Sequence, residues 1–262
     1  MKILHLSDIH LIGDKEPSLY GINPLYRLKR ALSSMQRWHQ DADFVVITGD
    51  LCDSASKSAY EELKSEISKV DLPVYLLVGN HDNRELFGKF FPSFINHGFV
   101  QYSIETKDRA FLFLDTLVEN RPYGNLCKER MDWLKNRLEE YKDSDIYIFM
   151  HHHPVKSGLF EMDNEANFKT SKEFWELLES SGNVKHIAFG HLHRIFHGVK
   201  NGISFHSTRG TAFEVALVPS KEEEFLTNSE KPTYAIMELE AGEIRVHHHE
   251  FLDEDEIYKG YC

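Results

Sequence analysis

Five short blocks of the sequence carry side chains suited to holding cations: Asp8-Ile9-His10, Gly49-Asp50, Gly79-Asn80-His81-Asp82, His151-His152-His153-Pro154 and Gly190-His191-Leu192-His193. Together they offer carboxylate oxygens, an amide oxygen and imidazole nitrogens, the donor types that Mn, Fe, Co and Zn accept. Thiolates are not part of the set. The three cysteines, Cys52, Cys127 and Cys262, form no Cys-x-x-Cys pair and no disulfide framework, which fits a reducing compartment. Taken singly, each block has a plainer reading. Asp8 and Asp50 read as turn or cap residues, Gly79-Asn80 as a turn, the histidine triplet as a solvated loop and His191 with His193 as an exposed pair. That reading would have to recur at five places, each time with a metal-binding side chain, so the set argues against it. Its proportions suit two divalent cations.

The elements that must position these residues are legible from hydrophobic patterning. Strands are expected over Lys2 to Ser7, Asp43 to Thr48, Pro73 to Val78, Ala110 to Asp115, Asp145 to Met150 and Val184 to Phe189, each rich in β-branched or aromatic residues. Helical stretches lie between them. The first begins at Asn23 as cap with Pro24 at the first helical position, and Leu25, Leu28, Leu32 and Met35 mark its apolar face. Tyr60, Leu63 and Ile67 repeat that spacing, as do Met131, Leu134, Leu138 and Tyr141. Alternation of this kind predicts an α/β fold in layers, with central β-sheets flanked by helices. All five blocks then fall at the C-terminal ends of strands, where open α/β sheets place their ligands.

Beyond His193 the pattern changes. Ile195 to Val199, Ile203 to Ser207, Thr233 to Leu239 and Ile244 to Glu250 read as strands without intervening helices. The chain is therefore read as a catalytic core over 1–207 and a strand-rich C-terminal extension over 208–262. Sheet completion, a lid or an oligomer contact are the roles open to that extension. Arg209 to Lys231, with Lys221-Glu222-Glu223-Glu224, reads as a long loop, and Asp253-Glu254-Asp255-Glu256 as a solvated tail. His247-His248-His249 reads as alternating strand surface, not as a third metal site.

Composition narrows the function. The chain has 262 residues, 41% hydrophobic and 27% charged, an ordinary globular make-up with room for one large core. No apolar run approaches the roughly 20 residues of a membrane span. The first strand leads into Asp8 at once, which leaves no space for a cleavable signal peptide and makes cytoplasm the simplest location. A net charge of −12 repels a nucleic-acid backbone, so no polymeric DNA or RNA substrate is expected. Bound cations would reverse the field locally, so a small phosphate ester remains compatible.

In order and content, the five blocks resemble the signature of the calcineurin-like metallophosphoesterases: Asp-x-His, Gly-Asp, Gly-Asn-His-Asp, His-His-x-Pro and Gly-His-x-His. The resemblance spans residues 1 to about 207. Within that superfamily, chain length, the N-terminal Asp8-Ile9-His10 and the loop from Pro154 to Phe168 are most similar to bacterial class III cyclic-nucleotide phosphodiesterases and related glycerophosphodiesterases. The resemblance implies that Asp8, His10 and His193 hold one metal, that Asn80, His152 and His191 hold the other, and that Asp50 bridges them. Aligned on Pro154 the triplet ligand is His152, the preferred choice; aligned on Met150 it is His151. Fe, Mn, Zn and Co all suit the donors.

By the same resemblance, His81 faces the substrate phosphate, where it stabilises charge or protonates the leaving oxygen, and Asp82 orients it. Asp53 stands where purple acid phosphatases carry a ligating tyrosine, so the chain is not of that subgroup. It is read as a substrate contact or a helix cap. The reaction implied is hydrolysis of a small phosphodiester, a cyclic nucleotide or glycerophosphodiester, by hydroxide shared between the metals. A phosphomonoesterase or pyrophosphatase on the same fold is the nearest alternative. A metal-free interaction scaffold is the alternative from another class, and a homo-oligomer is the assembly the family suggests.

Overall fold

The structure, a computed structural model, describes residues 1–14, 18–106, 108–217, 226–240 and 242–253. Its first half runs β1 (Lys2–Leu6), α1 (Pro24–Trp38), β2 (Phe44–Thr48), α2 (Lys57–Ile67), β3 (Val74–Leu77), α3 (Arg84–Phe90), β4 (Tyr102–Glu105), β5 (Arg109–Leu114) and α4 (Lys128–Glu140). It continues with β6 (Asp145–Met150), α5 (Phe160–Asn164), α6 (Ser171–Ser181), β7 (Val184–Phe189), β8 (Phe196–Lys200) and β9 (Ile203–Ser207). Short strands β10 (Glu214–Val215) and β11 (Thr227–Asn228) precede the hairpin β12 (Thr233–Glu240) and β13 (Glu243–Glu250).

Two sheets face each other. One has the order β13-β12-β1-β2-β3, the other β4-β5-β6-β7-β9-β8. The β1, β2 and β3 strands are parallel, and so are β5, β6, β7 and β9, which brings their C-terminal ends to common edges. The pleat sorts the side chains of the second sheet. Phe111, Phe113, Tyr147 and Phe149 point to the first sheet, while Ala110, Leu112, Leu114, Ile146, Ile148 and Met150 point to α4 and α6. Ring contacts cross the gap between sheets: Phe44 on Phe111 at 5.3 Å between centroids and Tyr75 on Phe113 at 5.4 Å. Leu28, Ala31, Leu32 and Met35 of α1 cover the outside of the first sheet, so the layers run helix, sheet, sheet, helix.

Local signals fix the ends of the helices. Asn23 Oδ1 accepts the Tyr26 N–H at 2.8 Å with Pro24 opening α1, Ser56 caps α2 through Ala59 N–H at 3.2 Å, and Asn83 caps α3 through Leu86 N–H at 2.8 Å. The hairpin of β12 and β13 belongs to the first sheet, since β12 runs antiparallel along β1 with His5 opposite Ala235. Within the stretch expected as a loop, β10 and β11 pair with each other. Lys221 to Glu224 and all of the acidic tail except Asp253 lie outside the described residues.

A file of histidines runs between the sheets. His5 Nε2 meets Thr48 Oγ1 at 2.8 Å, His5 Nδ1 meets His206 Nε2 at 3.1 Å, and His206 Nδ1 meets His186 Nε2 at 2.6 Å. His248 of the His247–His249 run turns its ring towards His206, 6.2 Å away. Burial opposes protonation throughout the file: the pKa of His5 is lowered to about 3 and that of His186 to about 4, from 6.5. In the unfolded chain these rings bind protons at a higher pH than in the fold, so unfolding takes up protons and acid weakens the fold. Their contribution is intact above pH 6.5 and lost progressively as pH falls towards about 4. His186→Gln removes one such proton. In urea titrations of the metal-free protein its stability should fall less steeply across that window, by roughly 1.4 kcal/mol per pH unit. An unchanged slope contradicts the neutral, buried state of His186.

Candidate metal centre

The blocks singled out in the sequence meet at one edge of the two sheets, and the backbone is strained where they do. Nine described non-glycine residues have positive φ, and five of them are candidate ligands: Asp8 (54°), His10 (44°), Asp50 (46°), His191 (68°) and His193 (50°). Left-handed backbone at such residues is uncommon and costs energy, and it gathers where side chains must be aimed. Backbone bonds lock these turns together: Asp8 N–H donates to Gly49 O at 3.1 Å, His10 N–H to Asp50 O at 2.9 Å, and Gly190 N–H to His151 O at 3.1 Å. The glycines are there for space. A Cβ on Gly79 would sit 2.2 Å from Asp50 Oδ1, and one on Gly190 would sit 1.8 Å from Ser7 Oγ and 3.0 Å from Asp8 Oδ2.

Three groups of donors result among the described residues, each with its ligating atoms within 4.8 Å of one another; the third joins His10 to Asp53 and His81, and the other two meet at Asp50. In the first, Asp8, His10, Asp50 and His193 converge. His10 Nε2 lies 3.2 Å from His193 Nε2 and 3.5 Å from Asp50 Oδ2, and His193 Nε2 lies 3.5 Å from Asp8 Oδ1. In the second, His151, His152 and His191 converge, and His151 Nε2 adds contacts with Asn80 Oδ1 at 3.1 Å and Asp50 Oδ2 at 3.4 Å. Asp50 Oδ2 thus stands between the two groups, 3.5 Å from His10 and 3.4 Å from His151. Its burial disfavours the charged carboxylate, but the imidazoles of His151 and His81 outweigh that and hold its pKa well below the usual range.

Behind three of the imidazoles stands an acceptor that fixes the ring's orientation. His193 Nδ1 lies 2.7 Å from Phe213 O, His151 Nδ1 lies 2.8 Å from Thr48 O, and His191 Nε2 lies 2.8 Å from Ala166 O. With the remote nitrogen donating, the near nitrogen presents a lone pair to the centre. Burial keeps the His193 and His191 rings neutral, lowering the pKa of His193 to about 4 and that of His191 well below 6.5, whereas Asp50 outweighs the burial of His151 and raises its pKa to about 9. Imidazoles gathered around a carboxylate suit a divalent cation, which would take the place of any proton on them, since each ligand must be deprotonated to bind.

Other positions differ from the sequence reading. Both nitrogens of His152 have protein neighbours, Nδ1 lying 2.8 Å from Thr116 Oγ1 and Nε2 lying 3.2 Å from Pro122 O. His151, not His152, touches Asn80 and Asp50. Asp82 does not contact the His81 ring. It is buried and accepts from Leu51 N–H, Cys52 N–H, Gly79 N–H and Tyr60 O–H at 2.9–3.2 Å, tying together the loops after β2 and β3. His81 instead sets Nδ1 2.7 Å from Asp53 O, with its ring exposed and 4.8 Å from that of His10. Partial burial works against its charge, but Asp50 and the Asp53 carbonyl outweigh this and raise its pKa. The Asp53 carboxylate lies 3.4 Å from His10 Nδ1, and the helix cap, one of the two roles read for it, comes from Ser56. The centre opens into a cleft of about 170 Å³, lined also by Tyr20, Glu161, Met162 and Phe213. None of these four is marked by the metal-ligand pattern.

A family model for calcineurin-like phosphoesterases matches residues 1–194. A probable cyclic nucleotide phosphodiesterase of Rhodopseudomonas palustris is 35% identical, over 98% of this chain and 95% of that protein. A probable glycerophosphodiester phosphodiesterase of Arcobacter nitrofigilis is 28% identical, over 83% of this chain and 81% of that protein. Among solved structures, a dimetal phosphatase from Danio rerio superposes with a TM-score of 0.74 at 14% identity, covering 95% of both chains, and so shares the fold. The donor groups of this centre thus sit on the scaffold their spacing implied, and the chain belongs to the calcineurin-like phosphoesterase family.

Proposed function

We propose that the chain is a metal-dependent phosphodiesterase that hydrolyses a small phosphodiester, a cyclic nucleotide or a glycerophosphodiester. The observation that carries this is the Asp50 carboxylate standing between two convergent donor groups, with His81 beside it. In this reading Asp8, His10 and His193 would hold one cation, Asn80, His151 and His191 would hold the other, and Asp50 would serve both. His151 replaces His152 in this assignment because its Nε2 reaches Asn80 and Asp50, whereas both nitrogens of His152 are engaged elsewhere. Fe, Mn, Zn and Co are the ions the donors suit. When bound, such cations activate water near neutral pH and draw charge from a phosphoryl group.

The chain's own residues do the rest. Asp53 and the carbonyls of Thr48, Ala166 and Phe213 hold the imidazoles in register. His81, anchored through Nδ1 on the Asp53 carbonyl, presents its other nitrogen at the mouth of the cleft, where it delivers a proton to the departing oxygen. A diester leaves as an alkoxide, so that proton matters. The relatives named as cyclic nucleotide and glycerophosphodiester phosphodiesterases support a diester over a monoester. The small cleft and the net charge of −12 support a small substrate over a nucleic acid. Among the described residues, no helix is long and apolar enough to cross a membrane.

Manganese-loaded protein should hydrolyse bis-p-nitrophenyl phosphate faster than p-nitrophenyl phosphate and lose both activities to a chelator. A preference for the monoester would overturn the diesterase reading. Elemental analysis should find about one cation fewer per chain in His151→Ala than in the parent, and no change in His152→Ala. The opposite pattern restores His152 as the ligand. His81→Ala should keep its metal and lose about 10²- to 10⁴-fold in kcat, the scale of a positioned proton donor; undiminished kcat removes His81 from the reaction.

A further inference from the structure

The three imidazoles between the sheets occupy positions that packing alone would fill with apolar side chains. His5 meets the Phe149 ring at 6.2 Å, and the interior beyond it is built from Phe111, Phe113 and Tyr147. Burial holds His5, His186 and His206 neutral, so none of them contributes a charge. Buried polar partners of this kind give about the same stability as apolar groups of equal shape. The file therefore needs a reason other than stability, and its inner end supplies one.

His5 Nε2 lies 2.8 Å from Thr48 Oγ1, and the Thr48 carbonyl lies 2.8 Å from Nδ1 of His151. Thr48 is the last residue of β2, and the peptide that carries this carbonyl leads straight into Gly49, whose φ is 102°. Glycine is required there, because a Cβ would sit 2.7 Å from His151 Nδ1 and 2.6 Å from Gly79 N. It is also the residue that restrains the backbone least. The peptide plane is then fixed from the Thr48 side, where Oγ1 is held by His5 and donates to Ser7 Oγ at 2.9 Å. With the hydroxyl hydrogen on Ser7, the donor to Thr48 is His5 Nε2–H. A neutral imidazole has one donor and one acceptor. His5 Nδ1 therefore accepts from His206 Nε2–H at 3.1 Å, and His206 Nδ1 accepts from His186 Nε2–H at 2.6 Å. The outer rings thus keep His5 in the tautomer that donates to Thr48.

We propose that His5 is a positioning residue of the metal centre: it holds Thr48 so that the Thr48 carbonyl turns His151 to present Nε2 beside Asn80 and Asp50. This rests on the assignment of His151 as a ligand made above. Groups directly behind a metal-binding imidazole change metal affinity by roughly 10- to 100-fold, and His5, one contact further out, belongs at the lower end.

Two substitutions at one position separate this role from packing. A glutamine amide nitrogen reaches the place of histidine Nε2 and an asparagine amide nitrogen that of Nδ1, so His5→Gln keeps the donor to Thr48 and His5→Asn gives it up. Metal-stripped protein is titrated with Mn²⁺ in a calorimeter. The parent should take up two cations, His5→Gln should hold both as the parent does, and His5→Asn should bind one of them about tenfold more weakly. Thr48→Val should match His5→Asn, and Thr48→Ser should match the parent, whatever the order of the four variants in urea stability. Equal affinities in His5→Asn and His5→Gln, parent-like binding in Thr48→Val, or affinities that follow urea stability overturn the inference. A parent that binds two Mn²⁺, hydrolyses no diester and still shows these differences removes the phosphodiesterase reading and upholds His5. A parent that takes up fewer than two cations overturns the shared centre and this inference with it.

Discussion

Two imidazoles, His10 and His193, bring their Nε2 atoms to 3.2 Å beside the Asp50 and Asp8 carboxylates. Lone pairs and negative oxygens gathered so closely repel one another unless positive charge stands among them. The surrounding structure maintains this arrangement. Backbone carbonyls occupy the far nitrogens of His151, His191 and His193. The backbone at Asp8, His10, Asp50, His191 and His193 accepts positive φ to aim the side chains, and Gly79 and Gly190 leave room that a single methyl would fill.

Such a centre persists because the layers beneath it are rigid. The strands that deliver it, β1, β2, β3, β6 and β7, are buried apolar segments clamped between helices and a second sheet. Aromatic contacts such as Phe44 on Phe111 hold the sheets face to face, so residues from chain positions far apart arrive at one edge. Asp82 extends this rigidity into the loops: four donors on one buried carboxylate fasten the turn bearing Asn80 to the turn bearing Asp50. The tight fit at the centre is thus a consequence of close packing below it.

Much of this was legible in the sequence because strand periodicity and metal-ligand chemistry leave strong local marks. Asp145–Met150 and Val184–Phe189 appear as strands with the bounds the patterning gave, and Asn23-Pro24 opens α1. Within the histidine triplet, strand parity bears on which ring faces Asp50. Side chains in β6 alternate, with Tyr147 and Phe149 facing the first sheet and Ile148 and Met150 facing the helices. Carried two residues past the strand, that parity puts His151 on the side of Asp50 and His152 on the side of Thr116. Other features leave no local mark. That β12 lies beside β1, that Tyr20 meets Phe213, and that Asp53 backs His10 while Ser56 caps the helix are long-range or competitive outcomes of packing. The three-residue Asp50 to Asp53 spacing is compatible with either role.

The central claim is that Asp50 is shared by two cations, each of which takes its remaining ligands from both sheets. Anomalous diffraction from crystals grown with Mn²⁺ tests it most directly. The account predicts two Mn²⁺ peaks flanking the Asp50 carboxylate, one among Asp8, His10 and His193 and the other among Asn80, His151 and His191. A single peak on one side of Asp50, or peaks away from these side chains, would contradict it.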